Sequence, residues 1–549
     1  MRAHPDVRRT LRSPLRPTRY AALAALLTTS VLLTACGSGG DDSGAGSGTG
    51  QARSGGALTF AVGSDAGCVD PQQVGSNDTI YSLRQVVDSL TDQDPRTGKI
   101  VPWLAKSWDI SSDTTTFTFH LRSGVTFSDG TKLTAQVVKD NFDAVPKLGA
   151  LGTLAEGYLS GVDSTSVVDP LTVRVTFKQP NAQFLQATST HSLGIESSAS
   201  AKRTPQQKCS QGVVGSGPFV LKGYVQNQSI TLAKRAGYAW GSSLWSKKGE
   251  AYLDKLVFKV VPEAGVRVGS LQSGQVDAIS SVGKANEAAL GGGQVSLERR
   301  ANPGAVFNLG LNNSRPVLKD AKVRQAILFA IDRQQIADTV FPTGTQPATS
   351  ILAHTTPDYE DLGTDLAFDA AKAKSLLDAA GWKAGSDGIR SKGGARMSLT
   401  VKWFANSATN QPALELIQQQ LKAVGIDVVL KQLQISQIAQ VQQSGDFDAL
   451  WGNLTRADPD ILRTLYSTRL ANAYHLPTSP LDSLLTEQAA TTDTAKRKQL
   501  AVEAQQLIVR NAYVVPVVEL QTQLGVSKKV HNLDFEASSR IQLHDTWIG

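Results

Sequence analysis

The densest recognition chemistry in this 549-residue chain lies in residues 451–460, which read WGNLTRADPD. Trp451, Asn453, Thr455 and Arg456 put an aromatic face, an amide, a hydroxyl and a guanidinium into one short run. Such a mixture suits a pocket for a polar small molecule, in which apolar surface supplies contact area and a few polar groups set orientation. Arg456 offers a planar donor fork to a carboxylate or phosphate; alternatively it pairs with Asp458 or Asp460 in a structural turn. Trp403 and Phe404 end an apolar strand and either stack on a ligand or fill the core, and Tyr466 follows Arg456 closely in sequence. Asp65 and Cys68 sit in the loop after the first strand, where they form either an opposing wall or a plain disulfide loop.

Other chemistries lack their residues. Direct metal ligation needs clustered His, Cys, Asp or Glu, whereas His120, His191, His354, His475, His531 and His544 are scattered. No Gly-x-Ser-x-Gly elbow appears. Gly215-Ser-Gly-Pro-Phe219 resembles a phosphate loop only superficially, because no Gly-Lys-Ser/Thr and no helix-forming stretch follow. No catalytic residue, metal or cofactor is expected.

The start of the chain determines where this chemistry operates. Six arginines between Arg2 and Arg19 precede an apolar run, residues 20–33, too short to span a bilayer. The run closes on Leu33-Thr34-Ala35-Cys36, which resembles the bacterial lipobox whose cysteine is lipidated and becomes the first mature residue. Residues 1–35 therefore read as a lipoprotein signal peptide and 36–56, rich in Gly, Ser, Asp and Thr, as a flexible linker. Twenty such residues reach on the order of 25 Å from the membrane. Arg8-Arg9 leaves Sec and twin-arginine export both open.

The leader also accounts for most of the charge. Its six arginines against Asp6 carry five of the +7 charges, so the mature chain keeps +2 and nucleic-acid binding loses its motive. With Cys36 lipidated, Cys68 and Cys209 remain either as one disulfide in an oxidising exterior or as two buried thiols.

A mature chain of this length exceeds what one core supports, so at least two lobes are expected. Residues 57–62 predict a strand and 79–90 a helix, which starts an α/β lobe. Residues 115–121 and 167–177 alternate as strands, and Thr134 caps a helix between them. Strand 253–261, helix 263–271, one long helix over 323–340 and a helix over 368–381 capped by Asp369 follow. Strand 399–404, helix 411–424 and strand 426–430 form a βαβ unit of a second lobe.

Six segments in order then carry a resemblance that covers nearly all of the mature chain. They are 117–130 (FTFHLRSGVTFSDG), 215–219 (GSGPF), 252–258 (YLDKLVF), 271–277 (LQSGQVD), 323–333 (VRQAILFAIDR) and 371–382 (AKAKSLLDAAGW). Together they resemble the bacterial extracellular solute-binding proteins of family 5, carriers of peptides, nickel complexes and other small solutes to ABC importers. The resemblance implies a two-lobed α/β fold of the periplasmic-binding-protein type II, with an extra subdomain in the first lobe. Lobe I takes 57–91, 212–301 and 516–549, the insertion 92–211, and lobe II 302–515. It further implies a monomer, tethered to the outer face of the cell membrane by its lipid, that closes on a small solute, a peptide or peptide-like ligand first among them, and delivers it to an ABC permease. A sensor or pheromone receptor on the same fold, or a hydrolase, are the alternatives. In the peptide carriers an acid shortly before Asp-Pro meets the ligand amine; here that place falls on Thr455 or Arg456, a departure that puts a free amino-terminal peptide in doubt.

Overall fold

Leu58, Phe60 and Val62 point one way along Ala57–Val62 and are buried, so this strand becomes the middle of a sheet. The computed structural model describes residues 52–549 except 405–406, 434–436 and 471, so Cys36, the leader and most of the linker lie outside the described residues. Ala57–Val62 pairs in parallel with Lys255–Val260 on one side and Ala278–Ile279 on the other, and helix Ala264–Gln272 makes the crossover between those two partners. Seven strands form this first sheet, in the order Val295–Ala301, Gln521–Ser527, Ala278–Ile279, Ala57–Val62, Lys255–Val260, Ser229–Lys234 and Phe219–Val225.

A second sheet of five strands runs Asp427–Leu433, Ser398–Phe404, Ala449–Thr455, Gly304–Leu311 and Val514–Val518. Here the expected βαβ unit forms: Ser398–Phe404 is parallel to Asp427–Leu433, with helix Asn410–Ala423 between them in the chain. A third, antiparallel sheet belongs to the insertion and orders Ala105–Ile110, Thr116–Leu121, Thr172–Phe177 and Val162–Asp169. Each sheet has its own buried apolar cluster. That of the insertion borrows Tyr238, Trp240 and Trp245 from the neighbouring lobe, so the insertion is not self-contained.

The chain passes between the two large sheets at residues 302–303 and again at 519–520. These passages are bonded to each other: the Asn302 amide donates to the Leu520 carbonyl at 2.7 Å, and Asn302 Oδ1 accepts from the Thr522 amide at 3.1 Å and hydroxyl at 2.7 Å. Gly304 follows at φ +111°, where a Cβ would stand 2.3 Å from the Leu454 carbonyl, so only glycine fits. The second passage falls a few residues beyond the boundary expected at 516, because Pro516 is still inside strand Val514–Val518.

Three elements differ from their sequence-based expectation for local reasons. The helix over 323–340 is two helices, Ala321–Phe329 and Arg333–Val340, because Asp332 turns its carboxylate to the Gln335 amide and caps a new start. The strand over 167–177 is a hairpin of Val162–Asp169 and Thr172–Phe177, with Pro170 in the turn. The first helix stops at Leu83, since the Gln85 and Val86 carbonyls accept from Phe219 and Gly217 instead of continuing it.

The insertion is fastened to the first lobe at one corner. Cys68 is disulfide-bonded to Cys209, with Cα atoms 4.1 Å apart. Beside it the fully buried Lys208 ammonium lies 3.0 Å from Asp70 and 2.8 Å from Glu196. Burial, and then the Asp70 charge, push the Glu196 carboxyl up to about 7, against the pull of Lys208. Replacing the cation leaves two acids buried without it, so Lys208→Met is expected to cost about 3–5 kcal/mol in urea unfolding. A loss below about 1 kcal/mol contradicts this role.

Candidate functional site

Strand Ala449–Thr455 delivers residue 456 to the boundary between the second lobe and the insertion, and the Arg456 amide there donates to the Pro303 carbonyl of the first crossover at 3.0 Å. Its guanidinium is buried. Nη1 donates to Gln183 Oε1 at 3.2 Å and to Thr464 Oγ1 at 2.8 Å, and Cζ lies 4.8 Å from the ring centroid of Tyr158. Gln183 and Tyr158 belong to the insertion, so this one side chain spans two parts of the molecule. Gln93 adds a bond to the Ala457 carbonyl at 2.8 Å, and the Ala182 amide reaches the Ala489 carbonyl at 2.8 Å, along the same boundary.

The proposed ion pair between Arg456 and Asp458 or Asp460 does not form, because other arginines occupy those carboxylates. Asp458 takes two bonds from Arg497, at 3.0 and 2.6 Å, and Asp460 takes two from Arg463, at 2.7 and 2.8 Å. Arg456 is left with an unopposed charge at the boundary. Asn453 and Thr455, half-buried on the same strand, have no side-chain hydrogen bond among the described residues.

The remaining candidates lie elsewhere. Trp451 is 2 % exposed, stacks on Phe307 with centroids 5.2 Å apart and donates Nε1 to Asn410 Oδ1 at 3.0 Å. Trp403 belongs to the same apolar cluster, and Phe404 is buried beside it in sequence. Tyr466 is fully buried against Tyr474, with its hydroxyl unpartnered and its phenol pushed well up by burial. Asp65 accepts from the Tyr224 hydroxyl at 2.9 Å and the Asn227 amide at 2.8 Å, which ties its loop to the edge hairpin of the first sheet. The structure thus brings Arg456 to the boundary, leaves Asn453 and Thr455 half-buried on the strand that leads to it, and commits the aromatic candidates to packing. Gln183 and Tyr158 were missed; nothing local in the sequence marks either as a neighbour of Arg456. Among the described residues no group of three or more His, Cys, Asp or Glu could hold a metal ion. No helix among them is long and apolar enough to cross a membrane.

A cavity of about 530 Å³ opens at the crossovers, lined by both lobes through Arg299, Arg300, His354, Tyr359, Glu519 and Gln521. Its half-exposed His354 meets Glu519 twice, through its amide at 2.8 Å and through Nδ1 at 2.6 Å. That side-chain bond raises the His354 pKa from its ordinary 6.5, against the opposing effect of burial.

The fold and this boundary fit one class, two-lobed binding proteins in which a hinge opens and closes a solute cleft. Residues 99–474 match the model described as Bacterial extracellular solute-binding proteins, family 5 Middle. The chain belongs to that family, and it is a solute-binding receptor that works outside the cytoplasm and delivers its ligand to an ABC importer. It is 28 % identical over 487 residues to the glutathione-binding protein GsiB of Salmonella typhi, covering 84 % of this chain and 88 % of that protein. Among solved structures, NikA from Brucella suis in complex with Fe(III)-EDTA superposes with a TM-score of 0.78 at 24 % identity, covering 90 % of this chain and 100 % of NikA. The oligopeptide-binding protein AppA of Bacillus subtilis in complex with a nonapeptide gives 0.74 at 20 % identity, with 91 % and 100 % covered. These two show the shared fold.

A raised histidine pKa stabilises the fold fully below the unfolded value and loses that stabilisation as pH rises through the folded value. The Tm gap between wild type and His354→Asn is therefore expected to be full below about pH 6.5 and to close at alkaline pH. A gap that widens with rising pH contradicts this role for the pair.

Proposed function

We propose that this chain is a lipid-anchored monomeric receptor without catalytic activity that closes its lobes on a small polar solute, a peptide or peptide-like one, and presents it to a membrane permease. The observation that carries the reading is the Arg456 bridge: its bonds to Gln183 and Tyr158 join the second lobe to the insertion. Contacts of this kind exist only when the boundary is shut, so a solute that adds contacts to both sides shifts the population toward closure. Asn453 and Thr455, with free polar groups on the same strand, are the nearest candidates to meet it. The glutathione-binding and oligopeptide-binding relatives support a peptide-like cargo, and Cys36 behind a short apolar run supports the lipid tether. A receptor that must hand its cargo to a fixed permease gains from such a leash.

Small-angle scattering of the purified protein should show compaction on addition of a bound peptide. An unchanged radius of gyration across peptide, sugar and chelate panels overturns the reading. Because Arg456 acts as a latch, Arg456→Ala should weaken acidic and neutral ligands alike, by about tenfold for one lost charge-assisted bond. Selective loss of acidic ligands would make it a direct anchor instead. Cys36→Ala should release the protein from the membrane fraction, and retention there contradicts the lipid anchor.

A further inference from the structure

Eight arginines are more than nine-tenths buried among the described residues, and seven have partners. Arg84 and Arg390 meet carboxylates, Arg235, Arg267, Arg324 and Arg333 meet main-chain carbonyls, and Arg456 meets Gln183 and Thr464. Arg540 has none. It is 6 % exposed, its Nε is enclosed without an acceptor, and it makes no hydrogen bond or ion pair through its side chain.

The backbone around Arg540 is rigidly held. Strands Asp534–Phe535 and Ile541–Gln542 form a hairpin whose tip is closed by the Glu536 amide on the Arg540 carbonyl at 2.8 Å. Ser539, at the tip, donates its hydroxyl to the Ala301 carbonyl at 3.0 Å and accepts from Arg300 Nε at 3.1 Å, which sets the hairpin against the first crossover. Gln85 fixes the other side through the Ile541 carbonyl and the Leu543 amide. Arg540 therefore directly follows the residue that bonds this hairpin to the first crossover.

Nearby charges are already matched. The Glu536 carboxylate lies 3.2 Å from Arg84 Nε, although its Oε1 is unpartnered, and Asp78 is taken by the Gly63 and Ser64 amides and the Ser280 hydroxyl. His191, 1 % exposed, has an unpartnered Nδ1; burial first, then the charges of Arg540 and Arg84, hold its pKa well below the usual value, so it adds no charge. The Arg540 guanidinium is left buried without a hydrogen-bond acceptor, a state that costs several kcal/mol unless an anion completes it.

We propose that Arg540 is the docking point for a carboxylate carried by the transported solute. This rests on the receptor reading above, and it names the chemistry of the cargo at one end. The planar fork of Arg540 suits a carboxylate in two-bond contact, and its place beside the crossover would let the first lobe bind the solute before the second lobe closes.

The test is thermal-shift titration of the purified protein with succinate and, separately, with its uncharged diamide succinamide, against chloride at matched ionic strength. Succinate is expected to raise Tm in the wild type and succinamide is not. Arg540→Gln should shift the succinate midpoint upward by about tenfold or more, with Arg540→Lys between the two. Equal responses to succinate and succinamide, no response beyond chloride, or an Arg540→Gln titration like that of wild type would overturn the proposal. The comparison of acid and amide uses wild type alone, so it stands even if the variant misfolds. Failure of the receptor reading would appear separately, as no compaction with any solute.

Discussion

Everything this molecule does as a receptor depends on the chain passing between its two large sheets through two short segments that are bonded to each other. Asn302, Leu520 and Thr522 hold residues 302–303 and 519–520 side by side. Two parallel links that share hydrogen bonds permit bending and resist sliding, which is the mechanical definition of a hinge. Glycine at 304 lets the chain leave this brace in a conformation and a space that a side chain could not share. The His354 and Glu519 pair sits on the same brace, so its protonation acts where the lobes articulate.

The insertion belongs mechanically to the first lobe. Cys68 to Cys209, the Lys208 triad and the borrowed aromatics Tyr238, Trp240 and Trp245 fasten it there. Arg84, enclosed between Trp103 of the insertion and Glu536 of the C-terminal hairpin, adds a further tie. The second lobe therefore meets one composite wall, and Arg456 is one of the residues that touch its inserted part. Arg540 lies on the other part. Two buried cations, one engaged and one free, thus fall on opposite sides of the hinge.

Much of the fold was legible in sequence because burial writes a period into it. Residues 57–62, 398–404 and 427–433 show this. The period failed where polar punctuation decided the outcome: apolar spacing runs through Ile331, yet the Asp332 carboxylate starts a new helix. Arg456 was locatable because its chemistry is concentrated in one short run. Its partners were not, since Gln183 and Tyr158 lie far from it in sequence and meet it only through tertiary packing. Arg540 had no local signal at all, because what distinguishes it is the lack of a partner after folding, a property of the three-dimensional arrangement.

A receptor built this way should leave its host loaded. Native mass spectrometry of the protein purified from its source, under conditions that preserve non-covalent complexes, tests this most directly. The expected result is a one-to-one complex with a small solute that carries a free carboxylate and is released on unfolding. A protein that arrives empty, and gains no mass when incubated with the solutes of its host's growth medium, would contradict the role of the cleft as a cargo site.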